Sequence, residues 1–166
     1  ERLIVQQRDN GVSADVVKAI IPALATIDLV DITNRIAALQ TFLASDDGVT
    51  LMAGYRRAAN ILKAEEKKDE VAIGGAIDTS ALTAPEEVAL HAAIVEARTG
   101  VADRVAAEDY AGAMGAIAGL RVPVDAFFDG VMVNVDDDAI RANRLRLLSE
   151  LRGLTTEVAD FSQISL

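Results

Sequence analysis

The sequence predicts an all-α bundle of about seven or eight helices, and three observations carry that prediction. Apolar residues recur at alternating three- and four-residue spacing, the signature of one buried helical face. Proline stands only at positions 22, 85 and 123, so long stretches are free of helix breakers. No strand pattern holds, because the best candidate, Val131–Val135, is five residues with nothing to pair with.

The elements follow in chain order. A short helix is predicted over Arg2–Arg8 and ended by Asn10-Gly11. Ser13 is placed to cap a helix running to about Ala25, with a kink or early stop at Pro22. Leu29, Ile32, Ile36, Leu39 and Leu43 make the apolar face of the next helix, and Ser45-Asp46-Asp47-Gly48 breaks it. A long helix runs from about Val49 to Lys68 with Leu51, Tyr55, Ala58 and Leu62 inward. Residues 69–84, with Gly74-Gly75 and Asp78-Thr79-Ser80, read as a loop. Pro85 opens a helix whose first turn holds Glu86 and Glu87, both suited to the positive end of the helix dipole. Its inward face is Leu90, Ile94, Ala97 and Val101. A short helix then ends near Gly119, and Pro123 opens another over Val124–Met132. The last helix is predicted over about Asp137–Asp160. Asp136-Asp137-Asp138 reads as its N-terminal cap, since the triplet lacks the spacing of a calcium loop. No metal site is assigned.

The chain has 166 residues, within the usual span of about 100–200 for one domain, and it reads as a single domain over 1–166. Glu1-Arg2-Leu3-Ile4 has no initiator Met and begins inside a helical pattern, so a fragment of a larger protein is expected. No basic start and apolar core mark a signal peptide there, and no run of eighteen apolar residues marks a transmembrane helix.

Composition narrows the chemistry. There is no cysteine and one histidine, His91. That removes thiolate nucleophiles, disulfides, Cys-based zinc sites and two-histidine metal motifs. His91 reads as a structural residue at the edge of an amphipathic face. No Gly-rich phosphate loop is present. No catalytic residues are assigned, and no cofactor is expected in this domain.

The formal net charge is -10, which argues mildly against nucleic acid because phosphate attraction dominates such binding. A binding face can still be locally basic. Arg56, Asn60, Lys63 and Lys67 are spaced four, three and four apart, which places them on one ridge away from Leu51 and Leu62. Cations in line with an amide suit phosphates and a base edge. The same pattern also fits a plain solvated face.

The last helix carries a second oddity. Arg144 falls inside the apolar stripe of Ile140, Leu147, Leu151, Leu154 and Val158. A buried arginine is costly unless paired, so Arg144 is expected to form an ion pair with Asp125 or Asp129. Arg141 and Arg152 flank the stripe.

The run from Leu120 to Asn134, with its PVDAFFD and VMV segments, continues into an R-x-N-R-L helix start at Arg141 and a VADFS tail at Val158–Ser162. Upstream, Tyr55-Arg56-Arg57 with Asn60-Ile61-Leu62 fits a Y-K-R-x-x-N-I-L pattern. Together these resemble the C-terminal end of the β subunits of bacterial heterotetrameric glycyl-tRNA synthetases. The resemblance implies an all-α, DALR-like anticodon-binding domain, similar to that of arginyl-tRNA synthetases. It implies tRNA(Gly) as partner, with the rest of the β subunit and the α subunit in a heterotetramer. Glycine activation with ATP and Mg would then take place on the α subunit, in the cytoplasm, with no part for membrane or DNA. A helical docking domain that RNA touches little is the alternative.

Overall fold

The computed structural model describes residues 11–25 and 28–165; the helix expected over Arg2–Arg8 lies outside them. The described residues form helices α1 (Ala14–Ile20), α2 (Leu29–Ala44), α3 (Asp46–Asp69), α4 (Pro85–Ala106), α5 (Tyr110–Ala118), α6 (Arg121–Gly130) and α7 (Asp138–Leu154), with short 3₁₀ turns between and after them. No strand occurs among the described residues.

The helix ends follow from local chemistry. Asp28 caps α2 by accepting from Val30 N at 2.8 Å, and Asp137 caps α7 by accepting from Ala139 and Ile140. Ser45 serves both neighbours: it ends α2, and its Oγ accepts from Gly48 N at 3.0 Å to begin α3. The expected break is thus one residue wide. Gly48 lies inside α3, where a Cβ would sit 1.8 Å from the Phe42 carbonyl oxygen, so only glycine allows so tight a corner. Pro22 stops α1 early, in a 3₁₀ turn over Ile21–Ala23.

α7 is shorter than its stripe predicts. It ends at Leu154 and gives way to 3₁₀ turns at Thr155–Glu157 and Phe161–Gln163. The tail folds back instead of running on: Asp160 N donates to Ala19 O at 2.6 Å. Phe161 is buried between Phe42 and Tyr55, with ring centroids 5.6 and 5.5 Å away. The VADFS residues Val158, Ala159 and Phe161 are therefore core residues.

One apolar core joins all seven helices. α3 and α4 each pack on both α6 and α7, while α5 lies across α2 and α4. Leu51, Tyr55, Ala58 and Leu62 of α3 are buried, as are Leu90, Ile94, Ala97 and Val101 of α4. The stretch Tyr110–Gly130 is long and apolar enough to cross a membrane by length and composition alone. Here Met114, Ile117, Val124 and Phe127 from that stretch are packed in the core. α3 and α6 approach closely, since a Cβ on Gly54 would meet Val124 Cγ1 at 2.6 Å.

Candidate nucleic-acid interface

α3 presents two differently charged flanks. The carboxylates of its C-terminal half face α7. Glu65 accepts from Arg141 and from Asn134 Nδ2, the latter at 3.0 Å. Arg141 also reaches Asp69 at 3.0 Å. The next residue, Glu66, accepts from Arg152 at 2.8 Å and from Ile73 N at 3.2 Å. The hydrogen bond from Arg141 holds the Glu65 carboxyl below the usual glutamate range, and that from Arg152 does the same for Glu66. These carboxylates are ionised and already matched by arginines of α7.

The outer flank is left cationic. Asn60, Lys63 and Lys67 are exposed, and none has a side-chain hydrogen bond or ion pair among the described residues. At about 100° per residue, Arg56, Arg57, Lys63, Lys67 and Lys68 lie on one broad arc centred near Asn60, and the only α3 carboxylate in that angular range is Asp46 at the far N-terminal end of the helix. Lys68 approaches Glu65 only to 4.0 Å and keeps 68% of its side chain exposed. Ala53 and Ala64, both exposed, are the small residues between the cations.

Arg56 is the least free of the expected ridge. It is half-buried, and its Nη2 donates to Ile164 O at 3.2 Å, so it also fastens the C-terminal tail. Arg57 and Lys68 were missing from the expected set. A single i, i+4, i+7 line picks one ridge, whereas the same angular arithmetic over the whole helix recovers both residues.

The expected partners of Arg144 need correction. Asp125 lies 3.8 Å from Arg121 on its own helix, and Asp129 is exposed. Arg144 instead pairs with Glu87 and donates through Nη1 to Met132 O at 2.7 Å. The reason is the cap of α4. Glu87 Oε2 accepts from Thr83 N at 2.6 Å and Ala84 N at 2.8 Å, which draws its carboxylate into the core, where only 2% of the side chain is exposed. Burial pushes this carboxyl up, but the hydrogen bonds from Ala84, Arg144 and Thr83 outweigh it and leave it below the ordinary range.

Two shallow grooves flank α5, of about 510 Å³ against α2 and about 540 Å³ against α4. Neither includes a residue of the α3 arc. His91 is half-buried on α4, and its Nδ1 has no hydrogen-bond partner among the described residues. No group of acidic and histidine side chains able to hold a metal occurs among the described residues.

A family model described as the DALR anticodon binding domain matches residues 51–158, which runs from the first turns of α3 to the start of the core tail. The chain is 48% identical over 165 residues to the glycine–tRNA ligase beta subunit of Rhodospirillum centenum, covering 99% of this chain and 23% of that protein. It is 46% identical over 166 residues to the beta subunit of the same name from Phenylobacterium zucineum, covering 99% and 24%. A third relative of that name, from a Ruegeria species, is 42% identical over 164 residues. The chain spans about a quarter of the length of these curated relatives.

Proposed function

Because the chain belongs to the DALR anticodon-binding domain family, we propose that it is the domain of a glycine–tRNA ligase β subunit that contacts the anticodon region of tRNA(Gly), and that the outer face of α3 meets the RNA. The observation that carries the placement is the arc of five cations between Arg56 and Lys68, a stretch with no carboxylate on the same face, on a chain whose net charge is -10. Overall charge repels RNA at a distance, so binding has to come from a patch. Lys63 and Lys67 supply exposed ammonium groups for phosphates, and Asn60 supplies an amide between them that pairs with a base edge.

For the whole protein we extend the proposal along the sequence resemblance. The reaction would be glycylation of tRNA using ATP and Mg, carried out at the α subunit of a heterotetramer in the cytoplasm, with this domain contributing RNA contacts and no catalytic group. The absence of any phosphate-loop motif or assigned catalytic set in the sequence supports that division. A second reading, docking against another domain or subunit, draws on Val88 and Val95. They lie seven residues apart on α4 and are 51% and 49% exposed. The two surfaces do not overlap, and docking on α4 leaves α3 open.

The test is a titration of the full-length polypeptide with tRNA(Gly) and with the same tRNA carrying a substituted anticodon. The proposal expects weaker binding of the substituted tRNA. It expects Asn60→Ala to shrink that difference. Equal binding of both tRNAs by the wild-type protein would overturn anticodon contact.

A further inference from the structure

Arg57 is placed differently from the other cations of the arc. Its guanidinium carbon sits 4.5 Å from the centroid of the Phe128 ring. That ring is in turn braced by buried Phe127, with centroids 5.5 Å apart and planes at 75°. Most described arginines reach a carboxylate, as Arg35, Arg98, Arg141 and Arg152 do. Arg57 has no ion pair and no side-chain hydrogen bond among the described residues, and it is exposed. The ring therefore orders the guanidinium over its face while leaving all five N–H donors free. Along the helix, Ala53 and Ala64 flank Arg57 on the side of Asn60 with nothing larger than a methyl group, so the approach is sterically open.

A planar cation held on an aromatic face has a second face for a further planar group. Single-stranded RNA loops offer such groups, since unstacked bases lie on aromatic rings or on arginine planes. We propose that Arg57, positioned by Phe128, is a stacking platform for one unpaired base of the bound RNA loop, at the edge of the Lys63–Lys67 phosphate track. This rests on the proposed RNA face of α3 and adds to it the element that fixes where a base lies.

The experiment measures binding of the full-length polypeptide to the anticodon stem-loop of tRNA(Gly), and to versions in which each loop nucleotide in turn is abasic. Arg57→Lys keeps the charge and removes the plane, so binding should weaken roughly tenfold with an unchanged salt slope. At one abasic position, wild-type and Arg57→Lys should bind alike, because the stacked base is already gone. Phe128→Leu should reproduce the pattern, its fold checked by thermal melting. If that variant does not fold, exposed Arg57 decides alone. The platform is wrong if Arg57→Lys binds like wild type, or if its loss is the same at every abasic position. Lys63→Ala separates the two levels of the argument. If Lys63→Ala weakens binding and flattens the slope while Arg57→Lys does neither, the RNA face stands and the platform falls. If both leave binding unchanged, both fall.

Discussion

Arg144 of α7 donates to the Glu87 carboxylate of α4, and the same carboxylate closes the first turn of α4 by accepting from Thr83 N and Ala84 N. One side chain thus caps a helix and anchors a nearly buried arginine, 57 residues away in sequence. Removing one partner of such a pair typically costs about 3–5 kcal/mol. Arg144→Leu should fall near the low end, since Glu87 retains its two backbone donors. Glu87→Leu should cost more, because it strands Arg144 and uncaps α4 together. Denaturant unfolding of both single variants and the double variant checks this. Additive losses would show that the two residues act independently.

The carboxylates at the α3–α7 and α4–α7 contacts contribute to the acid stability. Glu65, Glu66 and Glu87 all have lowered pKa values in the fold. Each unfolded glutamate binds its proton near about pH 4.3. Below that value the unfolded chain takes up protons that the folded chain refuses. Their contribution is therefore complete above pH 4.3 and drains away as pH falls through the lower folded values. Glu66→Gln should flatten the acid limb of the stability–pH curve and leave its shape above pH 6 unchanged. A curve with the same acid limb as wild type would contradict the assignment.

Gly54 lets α3 approach α6. Gly54→Ala drives a methyl group into Val124, which is fully buried, and overpacking of this kind costs about 1–3 kcal/mol. Val124→Ala in the same chain should recover part of the loss. No recovery in thermal melting would mean that the contact is not what limits this position.

Much of the helix plan is legible in the chain because local spacing sets it. The inward faces of α3 and α4 follow directly from their three- and four-residue periods, and Asp136-Asp137-Asp138 marks the start of α7 by residue type alone. Leu29 belongs to the α2 stripe, yet it is 58% exposed. The first turn of that helix extends past the core, and periodicity carries no information about helix overhang. The α7 stripe continues to Val158 although the helix ends at Leu154, since residues of a folded-back tail are buried as thoroughly as those of a helix. The partner of Arg144 was not legible at all. Asp125 and Asp129 are near in sequence, whereas Glu87 is brought in by packing of α4 on α7. For the proposed RNA face, helical spacing gives the cations and turns Glu65 and Glu66 away from them, but only the fold shows that Arg141 and Arg152 match those carboxylates.

Arg56 should behave differently from the lysines of the same arc. Its hydrogen bond to Ile164 O ties down the tail that seats Phe161. Arg56→Ala should lower the melting temperature as well as weaken RNA binding. Lys63→Ala and Lys67→Ala, on exposed side chains, should leave the unfolding free energy within about 0.5 kcal/mol of wild type, with little change in melting. Equal melting of all three variants would remove the structural role from Arg56.

The central claim is that the outer face of α3 meets RNA through phosphate contacts. Its most direct measurement is the salt dependence of tRNA(Gly) binding by the full-length polypeptide, wild type against Lys63→Ala/Lys67→Ala. Each lost contact to single-stranded RNA reduces the slope of log K against log salt by about 0.7. The account predicts weaker binding and a slope shallower by about 1.4 in the double variant, with an unchanged melting temperature. Identical affinity and identical slope in the folded double variant would contradict it and leave α3 with only a solvated face.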